Sequence, residues 1–240
     1  DATGNNLNMK LTDSSLGYTN KTTSPFNSIR TNPGYVGYMY GSILNSSYAE
    51  TNANENDSTI KKYLDSWYKQ NIEEKGYSKY IADSGFCNDR SLSNGDGVQT
   101  NKDTYYSGND RIKNYTPNLE CPNVENDLFT TSASNVGNKA LTYPIGLITV
   151  DELMLGGLAD GYLNRLSYTY SSYSYWTMSP TLFSLKHIAS FNFYAHFTGY
   201  FPYNYVTSNN GVRGVINLKP DVEISGGIGT ANDPFVLSVS

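Results

Sequence analysis

Apolar residues recur with helical spacing in two parts of the chain. The first stripe predicts a helix with Asp57 or Ser58 at its N-cap. The second stripe follows a capping box, in which Thr149 is the N-cap and Glu152 lies three residues on. Both stripes predict amphipathic helices with one buried face, so we interpret Trp67 as a core residue. The apolar positions are Ile60, Tyr63, Leu64, Trp67 and Tyr68 in the first stripe, and Val150, Leu153, Met154 and Leu158 in the second.

Short alternating or continuous apolar runs predict β-strands around these helices. The runs are residues 35–40, 141–148, 177–180, 211–218 and 235–239. A polar, irregular lead-in spans residues 1–34, and a long polar segment spans residues 83–140. Two helices set among many short strands are typical of the α+β class, which we predict for this loop-rich chain.

The segment between Leu166 and Val212 contains fourteen aromatic rings and one charged residue, Lys186. A buried tyrosine hydroxyl needs a hydrogen-bond partner or water, so a core could not accommodate so many tyrosines. Rigid rings with polar tips are instead typical of recognition surfaces. We therefore predict a binding face, and its ligand-binding residues are Phe183, Leu185, His187, Phe191, Phe193, Tyr194, His196, Phe197, Tyr200, Phe201, Tyr203 and Asn204.

The overall composition excludes two classes of partner. The net charge of -5 argues against nucleic acid, which selects a basic surface. No apolar run approaches the roughly 18 residues that a membrane helix needs. Charged residues make up 16% of the chain, against about 25% in an average domain, and Asn, Ser, Thr, Gly and Tyr take their place. We expect a protein or glycan ligand, and an anchor or signal upstream of Asp1 stays open.

The two cysteines, Cys87 and Cys121, both lie in polar, turn-rich sequence. A disulfide between them would close a loop of about 35 residues and stabilise the fold by roughly 3–4 kcal/mol on the chain-entropy model. We predict this bridge, which indicates an exported protein. The alternative is two unpaired thiols in a cytosolic protein. A catalytic thiol is disfavoured because neither cysteine has a histidine within thirty residues of it in the sequence.

The evidence for a metal site is weak. His187 and His196 are nine residues apart, which matches no zinc-binding spacing. The Asn/Asp/Gly clusters at 94–97 and 107–110 could supply oxygen ligands to Ca²⁺, but neither matches the twelve-residue calcium loop that ends in glutamate. The same residues are common in ordinary turns. We predict turns there, with no metal and no cofactor, and keep Ca²⁺ as the alternative.

Candidate catalytic groups are scattered. The sequence has no Gly-x-Ser-x-Gly elbow, phosphate-binding loop or dinucleotide fingerprint. Asp151 and Glu152 fall at a predicted helix N-terminus, where negative charge is stabilising, so we interpret them as structural. Arg213 is predicted to pack on an aromatic ring and bond backbone carbonyls rather than bind an anion, and Trp176 is predicted to be core. We predict no catalytic residue, although a distant carboxylate pair of the glycosidase kind stays open.

Four stretches of the chain together carry a family resemblance. They are IKKYLDSWY at 60–68, YPIGLITVDE at 143–152, YWTMSP at 175–180 and GVRGVINL at 211–218. In this order and spacing they resemble bacterial domains with the C-type lectin-like fold, in particular the formylglycine-generating-enzyme-like branch and related surface proteins of gut bacteria. That group has a Trp-x-x-Ser-Pro strand, a variable segment and a Gly-x-Arg-Pro strand, and Gly214 replaces the last proline here.

The resemblance implies one domain over residues 35–240, with two helices flanking a twisted antiparallel sheet and residues 83–140 as a long insertion. The enzymes of that branch use cysteines late in the chain, whereas this chain has none after Cys121, so their activity is not implied. The variable proteins of diversity-generating retroelements have the same fold. Their hypervariable interval corresponds to residues 181–210, and up to residue 205 only Lys186 lies outside the set of residues that adenine-directed mutation of an Asn codon produces.

These observations give three hypotheses for function. The first is a non-enzymatic ligand-recognition domain on a bacterial or phage surface, with residues 181–210 as an aromatic-rich face that the resemblance marks as hypervariable. The first alternative is a structural surface or pilus-like subunit, whose aromatic face packs against neighbouring subunits. The second alternative is an enzyme with dispersed carboxylates. The expected location is extracellular or at the cell surface.

Overall fold

The computed structural model describes residues 23–43, 47–98, 102–158, 164, 167, 169–170, 173–228, 233 and 235–239. Within these residues the chain folds into five α-helices and several β-sheets, most of them small, which confirms the predicted α+β class. The helices are α1 (Tyr48–Thr51), α2 (Thr59–Tyr68), α3 (Ser107–Asn114), α4 (Val124–Asp127) and α5 (Val150–Leu155).

The strands are short, except for two in the largest sheet. They are β1 (Thr23–Ser24), β2 (Met39–Tyr40), β3 (Asn56–Asp57), β4 (Phe86–Cys87), β5 (Leu92–Asn94), β6 (Thr104–Tyr106), β7 (Leu128–Phe129), β8 (Gly146–Leu147), β9 (Tyr175–Ser184), β10 (Ala189–Ala195), β11 (Tyr203–Tyr205), β12 (Asn210–Gly211), β13 (Gly214–Val215), β14 (Val222–Gly226) and β15 (Val236–Val239). Within the described ranges, no helix has the length and apolar character that a membrane span requires.

The largest sheet contains seven strands and is built around β9 and β10. β10 lies between β9 and β11 and is antiparallel to both. The opposite edge of β9 pairs first with β12, through Tyr175, and then with β6, through Leu182 and Phe183. β1 continues the sheet beyond β12, and β5 continues it beyond β6. Strands β9 and β10 therefore have hydrogen-bonded neighbours on both sides, which makes the centre of the sheet rigid.

Side chains of β10 alternate between two faces of the sheet, and each face has its own core. On one face Tyr194 packs edge-on against Trp176, with ring centroids 6.2 Å apart, beside the main core that contains α2. On the other face Phe193 and Ala195 pack against α3 and α5 in a smaller core. The two predicted helices α2 and α5 thus contribute to cores on opposite faces.

Both predicted helices are present, and their predicted caps are formed. The Ser58 hydroxyl accepts a hydrogen bond from the backbone N–H of Lys61 at 3.3 Å, so Ser58 is the N-cap of α2. The capping box of α5 is complete: Glu152 N–H donates to Thr149 Oγ1 at 3.1 Å, and Thr149 N–H donates to Glu152 Oε2 at 2.7 Å. The predicted stripe of α2 faces the main core, with Ile60, Leu64 and Tyr68 buried and Tyr63 and Trp67 half-buried.

Three of the predicted strands are shorter than expected. At residues 35–40 the chain first forms a 3₁₀ turn, Pro33–Val36, because Asn32 caps this turn and proline favours its first position. Only β2 remains extended there. The run at 141–148 is reduced to β8, and the run at 211–218 is divided between β12 and β13. The other two predicted strands, at residues 177–180 and 235–239, are confirmed as β9 and β15.

The described part of the predicted lead-in, from residue 23 onward, is packed into the main core. β1 pairs with β12. Phe26 is fully buried, and its ring centroid lies 5.9 Å from that of Trp176. The Phe26 carbonyl also accepts a hydrogen bond from the N–H of Ile60 at 3.1 Å, which fixes the start of α2.

The long polar segment 83–140 contains short elements rather than a structureless loop. It holds β4 to β7 together with α3 and α4. The predicted disulfide between Cys87 and Cys121 is present, with the two Cα atoms 5.7 Å apart. The disulfide ties the segment that follows α3 back to β4.

A fully buried ion pair lies within this segment, and its arginine also attaches the segment to the rest of the fold. Arg90 Nη2 lies 2.7 Å from Asp127 Oδ1, and neither side chain is accessible to solvent. Arg90 also donates to the carbonyl of Met39 at 3.0 Å and to Asn54 Oδ1 at 3.0 Å. A buried charge is tolerated only when it is paired and hydrogen-bonded, and this network meets that requirement.

Candidate functional site

The structure divides the predicted binding residues into a buried group and an accessible group. Phe183 has 0% exposure, and Phe193 and Phe201 have 2% and 3%. Phe193 and Phe201 belong to the small core under α3 and α5. These three rings are core residues, so they must be removed from the predicted contact face. The reason is tertiary, because β9 and β10 are interior strands and helices cover part of the sheet face.

Next to the area that the helices cover, the same sheet face is open. It forms a groove of about 660 Å³, the sheet groove. Asn109 and Lys113 of α3 form one wall of it, and the turn between β9 and β10 contributes Lys186. The predicted binding residues that line the sheet groove are His187, Phe191, Tyr203 and Asn204, and of these Phe191 is itself buried, with 7% of its surface exposed.

Four side chains form a row across the floor of the sheet groove. Tyr105 on β6 is in register with Leu182 on β9, Leu182 with Phe191 on β10, and Phe191 with Tyr205 on β11. All four belong to one apolar cluster, separate from the two cores. Because neighbouring strands lie ~4.8 Å apart, the row is about 14 Å long between its outer Cα atoms. The floor is thus an aromatic strip that runs across the strands.

The rings at the β11 end of this row contact one another. Phe191 lies 4.5 Å from Tyr205 with the planes tilted by 32°, and 5.6 Å from Tyr203 with the planes nearly perpendicular. The guanidinium of Arg30 lies 4.1 Å from the centroid of Tyr205, within the range of a cation–π contact. Tyr203 keeps 53% of its surface exposed. This end therefore combines a supported ring, Tyr205, with a largely free ring, Tyr203.

A side chain of the insertion at residues 83–140 fixes the turn between β9 and β10 by a hydrogen bond. Asp103 Oδ1 accepts a hydrogen bond from the N–H of Leu185 at 2.7 Å. Ile188, at the end of the turn, has a φ of 45°, in the left-handed region that β-branched residues avoid. Leu185 itself is half-buried and does not line the sheet groove. The turn places the exposed side chains of Lys186 and His187 at the rim.

Sequence reasoning missed several residues of this site. Tyr205 lies one position beyond the end of the predicted set, although it is part of the same aromatic segment. Asp103, Tyr105, Asn109 and Lys113 come from the polar insertion, which contributed no residue to the predicted binding face. The β-favouring run Thr-Tyr-Tyr at the start of this group was an available signal for a strand. No pattern in the sequence indicated that this strand pairs with β9.

The remaining predicted residues form a second aromatic group, the tip cluster, at the turn between β10 and β11. His196 is central: its ring centroid lies 4.1 Å from that of Phe197 and 4.7 Å from that of Tyr200. Its Nδ1 lies 2.6 Å from Thr198 Oγ1, and burial lowers the pKa of His196 below its ordinary value. Tyr194 is half-buried, whereas Phe197 is 47% exposed. None of the tip-cluster rings lines the sheet groove.

A second cavity, of about 260 Å³, lies beside the disulfide and contains several carboxylates. Arg111 Nε donates to Asp151 Oδ1 at 2.7 Å, and its Nη1 makes an ion pair with Asp89 Oδ2 at 2.8 Å without hydrogen-bond alignment. Burial alone would lower the pKa of Arg111, but the hydrogen bonds to Asp151 and the charges of Asp151 and Asp89 outweigh it and raise that pKa. Asn118 N–H also donates to Asp151 at 3.0 Å. Asp151 and Asp89 are both engaged by this arginine.

The two Asn/Asp/Gly clusters have local structural roles. In cluster 94–97, Gly95 and Gly97 adopt positive φ angles of 94° and 72°. Asp96 Oδ1 accepts a hydrogen bond from the N–H two residues on, at 3.0 Å, so the predicted turn is confirmed. Cluster 107–110 is the first turn of α3 rather than a loop. In the described parts of the chain, no group of three or more His, Cys, Asp and Glu side chains is placed so that it could hold a metal ion.

Arg213 and Trp176 are placed as predicted. Arg213 donates to the carbonyl of Thr169 at 2.8 Å, and its guanidinium lies 4.2 Å from the ring centroid of Tyr175. Trp176 is fully buried, and its indole N–H donates to the carbonyl of Ser24 at 2.8 Å. Both residues are therefore part of the scaffold under the sheet.

Comparison of the chain with protein-family models, with curated proteins and with solved structures finds no match. The geometry of the site is thus the basis for a functional conclusion.

Proposed function

We propose that this protein is a non-enzymatic recognition domain that acts outside the cell and binds its ligand in the sheet groove. The observation that carries this proposal is the row of Tyr105, Leu182, Phe191 and Tyr205, which lies in register across four hydrogen-bonded strands and is left open by the helices. Tyr105 and Tyr205 at the two ends of this row are half-buried and Tyr203 beside them is exposed, so this part of the sheet face is accessible for contact, whereas a structural core would be covered.

The rigidity of the strip favours binding. Association loses less free energy when few side chains have to be ordered. Here the floor is fixed by the ladders of β6, β9, β10 and β11, and Tyr205 is supported by Phe191 and Arg30. Aromatic rings also offer a large contact area with only two rotatable side-chain bonds. The groove is therefore pre-organised for a ligand.

Location outside the cell is supported by the disulfide, because such bridges persist in oxidising compartments. We also propose the C-type lectin-like fold for this chain. The support for it is the arrangement of α2 and α5, which contribute to cores on opposite faces of the central sheet.

Together with this fold, we propose that residues 181–210 form a hypervariable face. Lys186, His187, Tyr203 and Asn204 lie at the sheet groove, where changes of side chain would alter the ligand. The buried residues in the same interval, such as Phe193, would have to stay apolar because they fill the core under α5. The proposal thus confines variation to the groove and the tip cluster.

The enzyme alternative has less support. The second cavity is lined by Asp89, Glu120, Asp151 and Glu152. Arg111 pairs with Asp89 and Asp151, and Glu152 accepts hydrogen bonds from Thr149 in the capping box of α5. A glycosidase needs one protonated and one free carboxyl group on either side of its substrate. Two carboxylates that share one arginine do not provide that arrangement.

The test of the proposed function compares single variants on printed arrays of oligosaccharides and extracellular proteins. Tyr203→Ala and Tyr105→Ala alter the sheet groove, and Phe197→Ala is the matched control, since it removes an exposed ring of the tip cluster. We expect the two groove variants to lose the wild-type array signals by tenfold or more, as for central contact residues, while their thermal unfolding stays cooperative. The control should bind like the wild type.

The opposite pattern would contradict the proposal. If Phe197→Ala abolishes binding and the groove variants bind normally, the tip cluster is the contact surface. Sedimentation of the wild type checks the subunit alternative, because a stable assembly that dissociates in Tyr203→Ala would mean that the groove packs against another copy.

A further inference from the structure

Positive charges surround the sheet groove, although the whole chain has a net charge of -5. Lys113 is exposed on the wall formed by α3, Lys186 is exposed at the turn, and Arg30 lies against Tyr205. Among the described residues, none of these three cations forms an ion pair. Free cations at the rim of a groove attract a ligand of negative charge.

The carboxylate that lines the groove offsets only part of this field, because it stands against two lysines. Asp103 accepts the hydrogen bond from the Leu185 N–H at 2.7 Å and so has a structural role in the turn. It is half-buried, whereas both lysines of the lining are exposed. The lining thus presents two free ammonium groups and one engaged carboxylate to an incoming molecule.

The floor of the groove favours a sugar chain over a peptide strand. A peptide that adds to a sheet bonds the backbone of an exposed edge. The floor strands β9 and β10 are paired on both sides, so their backbone groups are already bonded, and the edge that is left to a peptide is the short strand β11, Tyr203–Tyr205. What the floor offers is the half-buried ring of Tyr105 and the exposed ring of Tyr203, with the amides of Asn109 and Asn204 and the hydroxyl of Ser184 beside them. A sugar ring presents C–H groups on its faces and hydroxyls at its edge, which matches this pattern.

We propose that the ligand of the sheet groove is an acidic oligosaccharide, a chain of sugars that carries carboxylate or sulfate groups. This inference rests on the proposed recognition function and specifies its ligand. The sugar rings lie along the strip from Tyr105 to Tyr205 and stack on Tyr203. The acidic groups pair with Lys113 and Lys186 at the rim.

The experiment measures binding of the full chain to defined probes by isothermal titration calorimetry at low and at physiological ionic strength. The acidic probes are hexagalacturonate, for carboxylates, and a chondroitin sulfate hexasaccharide, for sulfates. The neutral probe is fully methyl-esterified hexagalacturonate, which keeps the sugars and removes the charge. Hexaglutamate keeps the charge and removes the sugars.

The variants separate the two contributions. Lys113→Gln and Lys186→Gln remove the rim charges, Tyr203→Ala removes the free ring, and Lys62→Gln is the matched control because Lys62 is an exposed lysine of α2 outside the groove. We expect at least one acidic hexasaccharide to bind, with each groove lysine variant weaker by up to about fivefold at low salt and less at high salt. The control should bind like the wild type, and the neutral probe should bind at least tenfold more weakly.

Three results would overturn the proposal. One is that neither acidic hexasaccharide binds with a Kd below about 1 mM. Another is that hexaglutamate binds as tightly as the acidic sugars and is unaffected by Tyr203→Ala, which would make the site a simple anion surface. The third is equal binding of the neutral probe with no effect of the lysine variants. If Tyr203→Ala abolishes binding of the neutral probe in that third case, the sheet groove is still a recognition site. The proposal of an acidic ligand is then wrong, and the proposed recognition function is not.

Discussion

The rings of Phe191 and Tyr205 lie 4.5 Å apart on residues that are direct Cα partners in β10 and β11. Phe191 is buried, and Tyr205 is half-buried between it and Arg30. This pair joins the rigid centre of the sheet to β11, which is at the edge of the sheet and carries Tyr203. The contact thus determines how firmly the free ring of the groove is held.

A double-mutant cycle of Phe191→Leu and Tyr205→Leu measures this contact. Aromatic pairs in such geometry contribute about 0.5–1.5 kcal/mol beyond their area, so we expect a coupling free energy of that size in urea unfolding. The control cycle combines Phe191→Leu with Ile224→Ala, on the separate β14–β15 hairpin, and should be additive. A coupling near zero in the first cycle would mean that the rings stabilise the sheet independently.

The buried ion pair predicts a large loss of stability. Arg90→Met leaves Asp127 fully buried without its cation, so the free energy of unfolding should fall by about 3–5 kcal/mol in urea titrations. The double variant Arg90→Met with Asp127→Leu removes both charges and should lose less than the single variant. A double variant that is less stable than Arg90→Met would show that the hydrogen bonds to Met39 and Asn54 dominate.

Removal of the disulfide should lower the free energy of unfolding by a similar amount. Cys87 and Cys121 are separated by 34 positions, and opening a loop of that length lowers the free energy of unfolding by about 4 kcal/mol on the chain-entropy model. We expect this decrease for the double Cys→Ser variant, and the same decrease for reduced wild type. A much larger loss for the variant than for the reduced protein would point to packing of the sulfur atoms as the cause.

A substitution in the turn at the rim of the groove should make the protein more stable. Ile188 has a φ of 45° and is exposed, so it bears the cost of the left-handed conformation without much burial. Asn tolerates this conformation, and Ile188→Asn should raise the free energy of unfolding by about 1 kcal/mol. Ile188→Val keeps the β-branch and serves as the control, with no expected gain. An unchanged stability of the Asn variant would contradict the strained turn.

The tip cluster predicts a dependence of stability on pH. Burial lowers the pKa of His196 in the folded state below its ordinary value of 6.5. Around that pH the unfolded chain therefore binds more protons than the folded chain, and stability falls as the pH falls from about 7 through 6.5. Urea unfolding at several pH values should reveal this decrease. His196→Asn should reduce the slope in this window, and an unchanged slope would assign it to another group.

Local features of this chain were readable from the sequence because their causes lie within a few residues. The stripe at Ile60 to Tyr68 and the capping box at Thr149 and Glu152 depend on contacts one helical turn apart. The environment of Arg213 was also predictable, since a lone arginine in an apolar run needs an aromatic ring for its stem and carbonyls for its head. The sequence also located the aromatic segment that supplies eight of the twelve residues lining the groove.

Tertiary structure alone decided which aromatic rings are accessible. Phe191 and Phe193 are two residues apart on the same face of β10, yet Phe193 is covered by α5 and Phe191 forms the floor of the sheet groove. The alternation of side chains along a strand predicts which face of the sheet a residue lies on, but it does not predict which helix or strand packs against that face. The other four lining residues, including Tyr105 and Lys113, come from a polar insertion some 80 residues earlier, through the pairing of β6 with β9. Such pairings depend on shape and hydrogen bonding between distant segments, which local patterns do not encode.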